Sequence, residues 1–115
     1  MLDTYSPSWM TEDLEIFKDA VNKFYTREFA PHSDRWTKQG SVDRDAWYKA
    51  GQAGILCASI PEEYGGQGFG LSEQCIVLEE MGRSLLCAPY FSSAVLTANA
   101  ILYGASEEYK KKYLI

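Results

Sequence analysis

The chain has a single histidine, His32, and that scarcity removes several kinds of chemistry before any motif is weighed. A two-histidine metal site cannot be built within it, and any Ser-His or Cys-His pair would have to use that one ring. His32 follows Pro31 in a polar stretch, so a surface or capping role is expected of it. Cysteine is also sparse. Cys57, Cys75 and Cys87 are odd in number, lie in apolar surroundings and form no C-x-x-C, which argues against a disulfide framework or a zinc knuckle. They read as small core residues in a reducing compartment, and no metal site is expected. Basic residues are outnumbered 11 to 16, giving a net charge of -5, a balance that repels phosphate backbones and argues against a nucleic-acid partner. Lys110-Lys111-Lys112 is read as a solvated helix face. No stretch approaches the roughly 20 apolar residues of a membrane span, and Met1-Leu2-Asp3-Thr4 opens without a basic leader. Neither membrane nor export is expected, and the location read from this is cytoplasmic.

What is present suits one globular domain: 115 residues, 46% of them hydrophobic and 14% aromatic, enough for one core and too few for two. Residues 1–10 read as a flexible lead-in and 11–115 as the domain. Leu14, Phe17, Val21, Phe24, Tyr25 and Phe29 recur at three- and four-residue steps, which predicts an amphipathic helix capped by Thr11. Pro31 should make Ala30 a boundary and open a short helix carrying Trp36 toward Gly40. A third helix is expected from an Asp43 cap, with Trp47 and Ala50 inward and Gly54 as a left-handed stop. Ile55 to Ile60 reads as buried connection. Ser72 should cap a fourth helix bearing Cys75, Ile76, Leu78 and Met81. After Pro89, a fifth helix from about Tyr90 to Tyr103 is apolar around most of its circumference, a pattern normally buried on more than one side. Ser106 opens a last helix that carries no closing cap and reads as cut. The fold class expected is all-α, a bundle of about five or six helices.

Three groups of residues invite a functional reading. The loop Pro61-Glu62-Glu63-Tyr64-Gly65-Gly66-Gln67-Gly68-Phe69-Gly70 has glycines that could free amides for a phosphate. It lacks both the G-x-G-x-x-G and the P-loop spacing and carries two glutamates, so a structural loop is expected. Glu79 and Glu80 are about 100° apart on a helix and cannot both face one reacting atom; one is expected to accept hydrogen bonds from the chain and the other to see water. Trp36 and Trp47 read as core anchors. No catalytic, cofactor-binding or metal-ligating set emerges from the residues themselves.

Phe29-Ala30-Pro31, Trp36, Trp47-x-x-x-Gly51-x-x-Gly54, Ile60-Pro61-Glu62-Glu63-Tyr64-Gly65-Gly66-x-Gly68, Leu78-Glu79-Glu80-Met81-Gly82-Arg83 and Gly104 followed by Lys110-Lys111-Lys112-Tyr113-Leu114 resemble the amino-terminal domain of the acyl-CoA dehydrogenase family. The resemblance implies a flavoenzyme of fatty acid metabolism that oxidises acyl-CoA thioesters to trans-2-enoyl-CoA with FAD and passes electrons to an electron-transferring flavoprotein. It implies a homo-oligomer in which a middle β domain and a carboxy-terminal helical domain hold the FAD and the catalytic glutamate. Those domains are absent here, so the isolated chain is expected to be inactive and to hold no FAD. One role is implied for this stretch: Tyr90, Ser93, Ala94 and Thr97 as wall of the acyl pocket, with subunit packing beside it. An acyl-CoA oxidase, a flavin-dependent monooxygenase or a nitroalkane oxidase could share such a domain, and a non-enzymatic helical interaction module is the reading of another class.

Overall fold

Periodic apolar positions become helices throughout the computed structural model, which describes residues 5–86 and 88–114. The expectation for Cys87, and the first four residues of the lead-in, fall outside them. Six α-helices are formed among the described residues, and no strand: α1 Glu12–Phe24, α2 Ser33–Gln39, α3 Arg44–Gln52, α4 Leu71–Arg83, α5 Ala98–Gly104 and α6 Glu107–Tyr113. Thr11 caps α1, its Oγ1 accepting from Leu14 N at 3.3 Å, and Ser106 caps α6 by accepting from Tyr109 N at 3.4 Å. α1 lies along α4. Val21, Phe24, Val77 and Met81 belong to the main core, which also contains Trp36, Ala46, Ala50, Ile55 and Tyr90.

The helix after α1 changes its winding instead of breaking. A π turn, Tyr25–Phe29, passes into a 3-10 turn, Ala30–His32, and then into α2. Ala30 keeps helical angles, φ -55° and ψ -42°, so the boundary expected there is a change of pitch. Pro31 lies at the start of the tight turn and brings no amide N–H of its own, and it is there that the winding changes. This course turns Tyr25 and Phe29 inward, and the rings stack edge to face from Tyr25 to Phe29 at 5.5 Å and from Phe29 to Trp36 at 5.3 Å. Such pairs add about 0.5–1.5 kcal/mol each beyond their buried area.

Gly54 ends α3 in the left-handed region, φ +75°, as its position predicts. Other expectations are corrected. Asp43 precedes α3 but makes no side-chain cap; its carboxylate is engaged by Arg35 and Gln39 instead, which hold it well below the usual carboxylate range. α4 begins one residue before Ser72, with Gly70 N donating to Glu73 Oε2 at 2.9 Å: Ser72 already lies inside the first turn, and the carboxylate one residue later reaches back to the amide of the capping residue. Cys75 is exposed: it shares the outward stripe of α4 with Glu79, four residues on, while Ile76, Val77 and Glu80 face inward. Trp47 is only half-buried.

The folded chain is a slab of 44 × 40 × 19 Å, about two helix diameters thick. A slab that thin cannot surround its fifth helical segment, which runs as a π segment, Phe91–Thr97, into α5. Phe91, Leu96 and Tyr103 are therefore 52%, 56% and 84% exposed, and the expected burial on several sides is not found.

Candidate functional site

Beside the main core lies a smaller apolar cluster of Ile60, Tyr64 and Leu114, packed by Cys57, Ala98, Ile101 and Leu102. The seam between the two holds a cleft of about 230 Å³. Trp47 and Leu56 wall it from the main core, Ile60, Ala98 and Ile101 from the smaller one, and Ser93, Ala94 and Thr97 along the π segment. Three of the four residues singled out by resemblance thus come together on one cleft. Ser93 and Thr97 are exposed and mark its open edge. Tyr90 goes elsewhere: it is 2% exposed and donates its hydroxyl to Ile55 O at 2.9 Å.

Polar side chains along and just after the π segment bond back to carbonyls of their own helix. Ser92 Oγ donates to Pro89 O at 3.1 Å, Thr97 Oγ1 to Ser92 O at 2.7 Å and Asn99 Nδ2 to Val95 O at 2.7 Å. The Cys57 thiol in the cleft is pushed up by burial, which makes it a small apolar surface and not a nucleophile. The arrangement suits an apolar chain and has no acid, base or nucleophile to act on it.

Tyr113 and Leu114 close the far side, and α6 is held there by Tyr64, whose hydroxyl donates to Glu107 Oε2 at 2.6 Å. Lys110, 2.8 Å from Glu107, and then Tyr64 keep that carboxyl below its ordinary value. Trp47, Leu56, Ile60, Ile101 and Leu114 were not anticipated as lining. Trp47 and the Ile55–Ile60 stretch carried a burial signal, but periodicity reports burial and not the space left beside it.

The remaining groups have structural work. Glu80 is 1% exposed, accepts from Asn22 Nδ2 at 2.8 Å and lies 3.4 Å from Arg83 Nε, tying α1 to α4; Glu79 faces solvent, as expected of the pair. In the glycine loop the amides bond within the protein. Gly65 N donates to Glu62 O, Gly66 N to Pro61 O, Gln67 N to Cys57 O, Gly68 N to Ile60 O and Phe69 N to Ala58 O, at 2.8 to 3.1 Å. Gly70 N is taken by Glu73 Oε2, so the amides of all four glycines are engaged within the protein and offer no cradle for the pyrophosphate of a flavin dinucleotide. Among the described residues no group of three or more His, Cys, Asp or Glu is placed to hold a metal, and no helix is long and apolar enough to cross a membrane.

Burial, and secondarily the neighbouring Cys57, pushes the Tyr90 hydroxyl up to about 12; Tyr25 is raised by burial, then by Tyr90 and Glu80. A phenol whose folded value is raised contributes stability that is complete below its unfolded value near 10 and is lost as pH rises through the folded one. We therefore expect urea stability to hold to about pH 10 and to fall by roughly 2–3 kcal/mol on Tyr90's account by pH 12. Tyr90→Phe should be less stable at pH 8 and show a shallower alkaline decline. An identical decline in the variant would refute the assignment.

Comparison with known proteins extends the geometry. The family profile described as "Acyl-CoA dehydrogenase, N-terminal domain" matches residues 11–115. The mitochondrial long-chain specific acyl-CoA dehydrogenase of Sus scrofa is 39% identical over 98 residues, covering 84% of this chain and 23% of that protein. The mitochondrial isovaleryl-CoA dehydrogenase of Arabidopsis thaliana is 32% identical over 114 residues, covering 95% and 28%. The crystal structure of an acyl-CoA dehydrogenase from Geobacillus kaustophilus matches with a TM-score of 0.82 at 28% identity, over 95% of this chain and 29% of that one. The chain spans about a quarter of the length of these curated relatives. With the helical order, the glycine loop and the buried glutamate of α4 all in place, the profile match shows that the chain belongs to the acyl-CoA dehydrogenase family, through its N-terminal domain.

Proposed function

We propose that this chain acts as the N-terminal domain of a FAD-dependent acyl-CoA dehydrogenase and contributes part of the wall that receives the fatty-acyl tail. The observation that carries the reading is the cleft at the seam of the two cores, with Ser93, Ala94 and Thr97 along one side and aliphatic or aromatic side chains opposite. An alkyl chain gains about 0.8 kcal/mol for each methylene removed from water, and this cleft offers apolar surface without a charged side chain among its lining residues. The chain's part in the reaction is to bind and orient the tail and to exclude water from it. FAD supplies the oxidation when bound in the full-length enzyme; no phosphate cradle is available in the glycine loop, so no step is assigned to that group here. An electron-transferring flavoprotein as acceptor and assembly as a homo-oligomer belong to the same reading, as does inactivity of the isolated chain.

The test is dodecanoate binding, followed by calorimetry and by amide shifts of the labelled chain. Shifts should concentrate on Leu56, Ser93, Ala94, Thr97 and Ile101. Ala94→Phe, which fills the cleft, should weaken binding at least about tenfold with little change in melting temperature. Unchanged affinity in that variant would overturn the pocket role. Flavin absorbance in the purified chain, or acceptor reduction by acyl-CoA with the chain alone, would overturn its expected inactivity.

A further inference from the structure

Two apolar spaces in this molecule meet at one pair of side chains. On one side is the cleft; on the other, inside the main core, is a void of about 10 Å³ lined by Tyr25, Phe29, Ala50, Met81, Leu86 and Tyr90 among others. That is about the least space a water molecule needs. Trp47 and Leu56 line both spaces, and no other described residue does. The two partitioning residues differ in how they are held. Both are half-buried and pack against the main core from outside its buried set, but Trp47 stands on α3, whereas Leu56 belongs to the irregular connection after Gly54.

We propose that Leu56, backed by Trp47, is the end wall of the cleft and sets the length of alkyl chain it admits. The proposal rests on the reading that the cleft receives an acyl tail and adds what limits that tail. Shortening Leu56 removes three carbons from a wall that already has unfilled space behind it. Room then opens for about two or three further methylenes, each worth about fourfold in affinity.

The experiment titrates saturated carboxylates from octanoate to hexadecanoate into the wild-type chain, Leu56→Ala, the milder Leu56→Val, and Met81→Ala, which borders the void but not the cleft. In the wild type, affinity should rise with length and then level off. In Leu56→Ala the plateau should move out, raising the affinity of the longer acids over that of the wild-type limit about tenfold or more. Leu56→Val should move it less, and Met81→Ala should leave it where it was. Wild-type binding with an unmoved plateau in Leu56→Ala and Leu56→Val would overturn the end wall and leave the pocket reading standing. No binding of any acid to any variant would overturn both. Xenon separates the partition from the ligand: in either Leu56 variant it should perturb the Ala50 and Met81 methyls together with those of Ala94 and Ile101. If the Ala50 and Met81 methyls respond as in the wild type, Leu56 does not separate the two spaces.

Discussion

Gly66→Ala should cost at least about 4 kcal/mol, a loss reached only when a substitution breaks the local structure outright. A Cβ built on Gly66 would lie 1.9 Å from Ile60 O and 2.4 Å from Ile60 C. The obstacle is backbone, which cannot swing aside as a side chain does. The same Ile60 O accepts from Gly68 N at 2.8 Å, so moving it also breaks a bond that shapes the loop. Ile60 and Tyr64 then lose their seats in the smaller core, and α6 loses the hydroxyl that holds Glu107. For a domain with a total stability of about 5–15 kcal/mol, this leaves a marginal fold. Gly82→Ala is the matched control: nothing lies within 4 Å of its added methyl, it sits within α4, and it should stabilise by about 0.4–1 kcal/mol. Urea midpoints of the two variants decide the matter; a Gly66→Ala loss below about 1 kcal/mol, the scale of surface changes, would show that the loop is not packed as described.

Trp36→Ala should cost about 3–5 kcal/mol, and Trp47→Ala clearly less, about 1–3 kcal/mol. The indole of Trp36 is 5% exposed and fixed between Phe29, His32 and Arg35 at 5.3, 5.4 and 5.9 Å. Its loss empties the end of the aromatic row. Trp47 is only half-buried, so part of its surface already faces away from protein atoms and truncation forfeits fewer contacts. Equal costs, or a larger cost at Trp47, would invert this picture of the core.

The contrast between the two tryptophans shows what was legible in the sequence. Both occupy inward helical positions, and the spacing of apolar residues predicted both as anchors. Spacing assigns a face; it does not say whether the neighbouring element fills that face. The same limit applies to Cys75, apolar in type yet on the outward stripe of α4. It applies also to Phe91, Leu96 and Tyr103, where a run apolar all round met a slab only two helices thick. Local chemistry was read with more success. The Thr11 and Ser106 caps and the stop at Gly54 depend on neighbours within a few residues. Asp43 shows where local reading fails: its carboxylate had a better partner in Arg35, eight residues back. The candidate site was legible only in part. Ser93, Ala94 and Thr97 came from resemblance, and the opposite wall comes from a connection and a helix distant in sequence.

The glycine loop bears on the order in which this chain can fold. Its ladder of backbone bonds joins Gln67 to Cys57, Gly68 to Ile60 and Phe69 to Ala58, all within one short span. The tie between α1 and α4, from Asn22 to Glu80, closes across 58 residues. Closure entropy grows with the logarithm of that separation, so the helix pairing starts at a disadvantage of roughly 1.5 kcal/mol relative to the loop. The loop can therefore close as a local nucleus while the long helices are still apart.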